Sequence, residues 1–547
     1  MNPAIADIGK GYQMKIWITD SLERVLPKTK PGSAKRMQFF GARNQIISFQ
    51  VGFVPQENPA ENAGFQEIKL SGMFAKYSMI RLAGLVPLKN HSTYSPSSLI
   101  EGDAPGFIPD VLTDDFREER FEKRISRSYW ITVKLPDKAM AGNLKITIKN
   151  PARREFSVEA QIKVLPFALK SLELPITHWF YNDAILDWYG LEPFSRDYWK
   201  MVEKYFRNMT EHNQTAIYTP LFTPPLDGIK RDFQLVDVSE VKLGKYRFGW
   251  SKLKKWVDLA KLCGFKYFEM SHLFSQWGAK FAIRVLINKQ GRIKPLCQPN
   301  TLATGKVYRN FLEQFLSGLI AFLKEQGIFE HCIFHLSDEP EVPHIEQYGK
   351  VRQMIRTIAP EIRITEALSS FEFYRNRLVD EPVPNIGTIW EFIKNGVNTW
   401  TYYCNWARLR FPNRQLDFPL YRLRILGLQM FRFKMKGFLH WGLNYWYKHA
   451  TTELINPFLV NDGQNWPVWF AGDTFVLYPG KNGPLDSIRW EVYRELFDDY
   501  RLLCAAGDKA GEDKIMDILK DIHKPDEFPQ NADYIRKIRS SIFEILS

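Results

Sequence analysis

The segment Cys332-Ile333-Phe334-His335-Leu336-Ser337-Asp338-Glu339-Pro340 decides how the rest of the chain is read. A short apolar run, suited to a buried strand, passes into two adjacent carboxylates and is then stopped by proline. The same grammar extends to both sides of it. From Leu174 onward apolar strand patterns alternate with longer helical ones, the strands ending near His178-Trp179, Tyr218-Thr219, Glu269-Met270, Leu336, Ala367, Trp390, Tyr403 and Trp441. Helical periodicity fills the intervals at Tyr198 to Glu211, Leu253 to Cys263, Tyr308 to Gln326, Ile345 to Ala359 and Tyr421 to Met435. Such alternation argues for βα units around a parallel sheet, and eight strands fit a (β/α)8 TIM-like barrel over residues 170–485. A long loop from Leu273 to Thr304 interrupts the third unit. On a barrel the active site lies at the carboxyl ends of the strands, where Asp338 and Glu339 fall.

Outside that span the pattern changes. Residues 1–167 carry short alternating strands, among them Ile46 to Phe53, Ser128 to Val133 and Leu144 to Ile148, separated by turns such as Leu135-Pro136-Asp137 and Ala141-Gly142-Asn143. This spacing predicts an N-terminal antiparallel β-sandwich, with Leu165 to Leu169 as the linker out of it. Residues 486–547 read as a helical C-terminal extension, amphipathic from Ile488 to Leu503 and more weakly so from Asn531 to Leu546. The expected fold class is α/β multidomain, as a chain of 547 residues exceeds what one core organises.

Composition narrows the function classes. Hydrophobic residues at 45% and charged residues at 25% are ordinary for a globular protein. Aromatic residues reach 14%, which suits a protein that stacks rings on sugars but also suits large cores. The net charge of +13 comes from basic residues spread along the chain and mixed with acids, with no recognition helix, RNA-binding strand motif or zinc finger, so no nucleic-acid partner is expected. Five widely spaced cysteines without a Cys-x-x-Cys pair argue against a disulfide framework and a structural zinc site. Met1 to Lys15 holds no apolar stretch of secretory length, and no segment approaches the roughly 20 apolar residues of a membrane span, so a cytoplasmic enzyme without an integral membrane segment is expected.

Two carboxylates side by side raise the proton affinity of one of them. A carboxyl kept protonated near neutral pH can serve as general acid while its neighbour stays ionised. A second Asp-Glu-Pro, Asp380-Glu381-Pro382, follows the polar stretch Tyr374-Arg375-Asn376-Arg377 with no apolar strand before it, and reads as a solvated helix end. Adjacent residues point in different directions, whereas a retaining acid and nucleophile stand about 5–5.5 Å apart across the scissile bond. Neighbours suit another division of labour. Glu339 protonates the leaving oxygen, and Asp338 holds a group of the substrate. If that group is a 2-acetamido substituent, its carbonyl oxygen can attack the anomeric carbon itself, the substrate-assisted exception to the two-carboxylate scheme.

Further motifs lie downstream: Thr401-Tyr402-Tyr403, Asn413, Pro419-Leu420, Arg422, Gly437-Phe438-Leu439-His440-Trp441-Gly442-Leu443-Asn444-Tyr445-Trp446, Gly472-Asp473, Tyr478-Pro479-Gly480, Ser487-Ile488-Arg489 and Asp498-Asp499-Tyr500. With Ser337-Asp338-Glu339-Pro340 and the amino-terminal Gly41-Ala42-Arg43-Asn44-Gln45, their order resembles glycoside hydrolase family 123, the β-N-acetylgalactosaminidases, and its uncharacterised relatives. The resemblance implies a β-sandwich before a (β/α)8 barrel, no metal or other cofactor, and a glycan or glycolipid substrate with a terminal β-linked 2-acetamido sugar. It implies Asp338 as the acetamide-orienting residue and Glu339 as the acid/base. The acetamide carbonyl needs a donor, for which Tyr402 or Tyr403 is the candidate.

Other expected substrate-binding residues follow from strand ends. Trp390 and Trp441 are candidates for a stacking wall, with Trp446 beside them, and barrel packing is the alternative for each. Asn444 would bond sugar hydroxyls or cap a strand. His178, Glu269 and His272 also fall at strand ends, although a lone histidine is more often a satisfied core residue. Asp473 and Arg489 read as a structural polar network behind the mouth, and Gly480-Lys481-Asn482-Gly483 as a turn. A β-N-acetylglucosaminidase of the same mechanism and a non-catalytic glycan-binding protein are the competing readings.

Overall fold

The computed structural model describes residues 14–54, 67–93, 95–114, 124–149, 154–226, 231–405 and 410–547, so Met1 to Gln13 of the segment read for a leader lie outside the described residues. Among the described residues nine strands come first: β1 (Lys15–Asp20), β2 (Arg36–Arg43), β3 (Ile46–Val54), β4 (Glu67–Ser71), β5 (Ser78–Leu88), β6 (Gly106–Thr113), β7 (Arg127–Lys134), β8 (Met140–Lys149) and β9 (Glu155–Ala168). They form two sheets, ordered β1-β3-β7-β5-β6 and β2-β9-β8-β4. Period-two alternation turns Phe49, Val51, Phe53, Tyr129, Ile131 and Val133 of one sheet toward Leu144, Ile146, Ile148, Val158, Ala160 and Ile162 of the other, and these close a shared core. The sheets are not wholly antiparallel as expected, because β2 runs parallel to β9 with Met37 opposite Ala160. The segment read as an exit linker is mostly strand, since β9 continues to Ala168.

Strands then alternate with helices. The next strands are β10 (Ile176–His178), β11 (Ala216–Thr219), β12 (Asp237–Lys242), β13 (Lys245–Gly249), β14 (Tyr267–Met270), β15 (Leu286–Lys289), β16 (Arg292–Pro295) and β17 (Cys332–Phe334). They are followed by β18 (Thr365–Leu368), β19 (Glu381–Pro384), β20 (Trp400–Tyr402), β21 (Gly437–His440), β22 (Leu477–Gly480) and β23 (Gly483–Asp486). Eight of these pair only in parallel, in three groups: β10-β21-β20, β11-β14-β17 and β18-β19. Helices cover them, some burying one stripe, while Leu420–Arg432 is buried at every position from Leu420 to Met430. In Lys306–Glu325 the buried side is Tyr308, Phe311, Leu312, Phe315, Leu316, Leu319, Ile320, Phe322 and Leu323, the three-and-four spacing of an amphipathic helix. The interrupting loop builds β15 and β16, which join β12 and β13 in a separate four-stranded sheet. The Gly480 to Gly483 turn is the tip of the β22–β23 hairpin.

One expectation needs correction. The sixth parallel strand is Glu381–Pro384, inside the stretch read as a solvated helix end, and Trp390 lies on the short helix Ile389–Lys394 after it. The backbone N–H groups of Glu381 and Asn385 donate to Ile364 and Leu368 on the β18 side, so Pro382 and Pro384 face β20. There the backbone pairing is one isolated bridge, Asn385 with Tyr402, beside a bond from the Thr401 hydroxyl to the Pro384 carbonyl, so the prolines leave no ladder bond unmade. The helix Ile488–Ala510 opens the expected C-terminal helical region, and its residues from Ile488 to Asp499 are all buried. Trp490 and Tyr493 meet the His178 ring at 5.0 and 4.6 Å, and the opposite side meets the sandwich.

The contact with the sandwich is polar and buried. Arg81 of β5 pairs with Asp486 and, at 2.5 Å, with Glu491. Trp130 Nε1 and the Ser48 hydroxyl donate to Glu491 as well. Arg489 forms a two-pronged pair with Asp110 of β6 at 2.8 and 2.9 Å.

Candidate active site

Asp338 and Glu339 sit just beyond β17, as expected, at a cavity of about 180 Å³. The chain there is held from below. Glu366 Oε2 of β18 accepts the N–H groups of Leu336 (3.2 Å) and Ser337 (2.9 Å) and the Tyr348 hydroxyl (2.8 Å). His335 stands between two carboxylates, its Nε2 2.9 Å from Glu269 and its Nδ1 3.8 Å from Glu366. Burial alone would lower its pKa, but the hydrogen bonds and charges of Glu269 and Glu366 outweigh it and raise the imidazole to about 10. His335 is therefore an imidazolium, fixed two residues before Ser337. The neighbouring His272, stacked on it at 4.8 Å, is buried and repelled by that charge, so its pKa falls well below the usual value.

Ser337 ties a second loop to the carboxylates. Its hydroxyl oxygen accepts the N–H groups of Gly278 and Ala279 (both 3.1 Å) and donates to the Ser275 carbonyl (2.8 Å). Trp277 N–H donates to the Asp338 carbonyl at 2.9 Å, and Gln276 Nε2 donates to Asp338 Oδ2 at 3.0 Å. Glu339 has a left-handed backbone, φ 44°, uncommon for a residue with a side chain and typical of strained functional positions. That twist separates the two side chains: Asp338 meets Gln276, while Glu339 accepts a short hydrogen bond from the Tyr402 hydroxyl. Burial, and then the Glu339 charge, push Asp338 well above the usual aspartate range, against the pull of Gln276. Burial and the same Glu339 charge keep the Tyr402 hydroxyl protonated.

The walls are aromatic: Trp179, Tyr181, Tyr402, Trp441 and Trp469 line the cavity. Trp441 and Trp469 pack at 5.2 Å, and Trp441 Nε1 donates to Asp473 Oδ2 at 2.9 Å. Asp473 lines the same cavity, and burial raises its carboxyl to about 6 despite the nearby Arg414.

Of the expected site residues, the structure brings Asp338, Glu339, Tyr402 and Trp441 together on this cavity. The others lie elsewhere. Tyr403 points the other way, its hydroxyl bonded to Tyr493. Trp390 packs edge-on against Phe433 and lines no part of the cavity, because it belongs to a helix rather than a strand end. Asn444 exchanges hydrogen bonds with the Tyr181 backbone, the capping alternative, and Trp446 is wholly buried. His178 faces the covering helix, kept neutral first by burial and then by the Arg414 charge. Glu269 lies beneath the floor, accepting from Thr177 (2.5 Å), Trp179 Nε1 (2.8 Å) and His335. His272 is with it there, accepting or donating to the Tyr218 hydroxyl at 3.2 Å. Asp473 and Arg489 form no direct pair but are joined through Arg414, which donates to the Asp473 carbonyl while Arg489 donates to the Arg414 and Gly472 carbonyls as well as pairing with Asp110 of the sandwich.

Sequence reasoning missed Trp179, Tyr181, Gln276, Trp469 and the cavity role of Asp473. Trp179 is the residue after His178, and only the parity of the strand decides which of the two looks inward. Among the described residues two groups have metal-ligand spacing, His272-His335-Glu366 and His212-Asp486-Glu491. Each already contains its own counter-charge, His335 in the first and Arg81 and Arg494 around Glu491 in the second.

Comparison with known proteins places this geometry. The sequence model described as "Glycoside hydrolase 123, catalytic domain" matches residues 179–506, more than half of the chain. No match is found among curated proteins. A family 123 glycoside hydrolase from Clostridium perfringens, solved for the details of glycolipid glycan hydrolysis, superimposes with a TM-score of 0.75 at 14% identity, covering 98% of this chain and 97% of that one. That likeness shows a common fold from sandwich to C-terminal helices. A Bacteroides ovatus GH5 xyloglucanase (TM-score 0.31, 8% identity, 85% and 98% covered) is too distant to bear on the site. Because the matched region contains both carboxylates, the cavity and its aromatic walls, the chain belongs to glycoside hydrolase family 123 and is a glycoside hydrolase.

Proposed function

We propose that this enzyme is a retaining exo-β-N-acetylgalactosaminidase that removes terminal β-linked GalNAc from glycans or glycolipids by substrate-assisted catalysis. The observation that carries the reading is the split of the two adjacent carboxylates, Asp338 toward Gln276 and Glu339 toward Tyr402. In the first step Glu339 gives its proton to the glycosidic oxygen. The acetamide carbonyl oxygen attacks the anomeric carbon from the opposite face, and the bond to the leaving group breaks. Asp338 accepts the acetamide N–H and balances the positive charge of the oxazolinium-like intermediate. In the second step Glu339 takes a proton from water, which opens the ring with overall retention. The raised proton affinity of Asp338 supports a pair that holds one proton in the free enzyme; an arriving acetamide N–H supplies Asp338 with a donor and leaves that proton to Glu339. Small volume and aromatic walls favour one terminal sugar. The glycolipid substrate class follows the work on the Clostridium perfringens structure and is carried over as part of the proposal.

We also infer that the eight parallel strands close into a (β/α)8 barrel. Support comes from the links between the three groups: the Phe334–Ile364 and Asn385–Tyr402 bridges, and the bond from Thr215 N–H to the Ile176 carbonyl beside β10 and β11.

The test is hydrolysis of β-GalNAc and β-GlcNAc aryl glycosides, with and without the acetamide, by wild type, Asp338→Asn and Glu339→Gln. Activity is expected only on acetamido substrates, with Glu339→Gln most impaired on poor leaving groups. Equal cleavage of a substrate lacking the acetamide would refute substrate assistance and turn attention to Asp473 as a protein nucleophile. Preference for β-GlcNAc would select the glucosaminidase reading.

A further inference from the structure

The loop Ser275 to Phe281 carries a feature that removal of the terminal sugar does not use. Trp277 is 54% exposed, although tryptophan is among the residues that proteins bury most. Among the described residues its ring stacks on no other ring, has no cation over it, and its indole N–H has no acceptor within the protein. Its backbone, by contrast, is fixed. Trp277, Gly278 and Ala279 take three consecutive left-handed conformations, φ 55°, 100° and 56°. The N–H groups of all three are held by the catalytic segment, Trp277 by the Asp338 carbonyl and the other two by Ser337 Oγ. On the far side the turn is backed by His344, close enough that a Cβ on Gly278 would lie 2.6 Å from it. Strain of this kind survives only where the surroundings hold it, and it gathers at binding and catalytic sites. Here it holds one free aromatic face beside Gln276, the cavity residue that bonds Asp338.

We propose that Trp277 is the platform for the sugar unit on the leaving-group side of the scissile bond. The proposal rests on the cavity's being the site of the terminal sugar. Glu339, which would protonate the departing oxygen, adjoins Asp338, whose carbonyl anchors the Trp277 turn, so a pyranose on that oxygen would lie on the side of this turn. The ring offers its face to the C–H side of that sugar and its N–H to a hydroxyl. A rigid anchor there converts aglycone binding into orientation of the bond to be broken, so its loss reduces turnover as well as affinity.

The test compares wild type, Trp277→Ala and Trp277→Phe on the disaccharide β-GalNAc-(1→3)-galactose and on methyl β-GalNAc, whose aglycone has no ring to stack. The expected result is a fall of about ten-fold or more in the disaccharide-to-methyl ratio of kcat/KM for Trp277→Ala, with partial recovery in Trp277→Phe. Phe107→Ala, exposed on the sandwich, should leave the ratio as it is. An unchanged ratio in Trp277→Ala overturns the proposal. So does an octyl β-GalNAc glycoside whose cleavage depends on Trp277 as strongly as the disaccharide's, since that assigns the ring to apolar chains. If wild type cleaves none of these donors, the GalNAc reading fails instead. Titration of wild type and Trp277→Ala with β-linked disaccharides of other terminal sugars then decides the platform, equal affinities for every disaccharide overturning it and weaker binding by the variant supporting it.

Discussion

Raising the pH should remove stability from this protein through His335, and the size of the effect follows from its surroundings. The imidazole has an ordinary pKa of 6.5 in the unfolded chain and about 10 in the folded one. Below the lower value it is charged in both states, and its stabilisation is fully present. Between the two values the unfolded chain gives up the proton while the folded protein keeps it, so stability falls; above the higher value the contribution is gone. The full span corresponds to about 5 kcal/mol, or about 1.4 kcal/mol per pH unit. Urea unfolding followed by tryptophan fluorescence at about pH 8, 9 and 10 measures it, with His335→Gln as the reference that cancels lysine, tyrosine and cysteine titrations. From about pH 8 to pH 10 the wild type should lose about 2 kcal/mol more than the variant. Parallel stability curves would refute the charged assignment, as would a neutral imidazole nitrogen signature for His335 in NMR spectra at pH 8.

Three further outcomes are expected. Tyr402→Phe removes a charge-assisted hydrogen bond to Glu339, worth about 1.5–3 kcal/mol, and should lower kcat roughly 10- to 100-fold with the thermal midpoint little changed. Gly278→Ala places a methyl group against His344 in a left-handed backbone and should cost about 1–3 kcal/mol, read by denaturation, together with weakened turnover because the Ser337 and Asp338 contacts move. Asp110→Ala strands the buried Arg489 and should destabilise by about 3–5 kcal/mol in the same assay; a loss under 1 kcal/mol would show that water reaches the pair.

The sandwich, the alternating strands and helices and the acidic strand end were legible because each rests on local pattern. Ser195, Ser487 and Asn531 even cap their helices through side chains that the sequence displays. The sixth strand was not legible. Two prolines in four residues deny a strand by every local rule, and only the unladdered contact with β20 makes Glu381–Pro384 tolerable. That error displaced Trp390 from a helix to a supposed strand end. Inward and outward facing was equally hidden at β10, where His178 was singled out and its neighbour Trp179 reaches the cavity. Tyr402 and Tyr403 pose the same parity question, settled by Glu339 on one side and Tyr493 on the other. Gln276 and Trp277 sit in a loop without periodicity, so no sequence signal ties them to Asp338.

The ion pairs that join the sandwich to the helix Ile488–Ala510 bear on how such an enzyme can be recombined. Asp110, Arg81 and Ser48 on one side fit Arg489, Glu491 and Arg494 on the other as a key fits a lock, with no solvent to forgive a mismatch. A foreign sandwich grafted onto this catalytic region would have to supply the same three residues in the same register or leave charges buried alone. Exchange of the sandwich alone should therefore destabilise the chain unless these contacts are rebuilt with it.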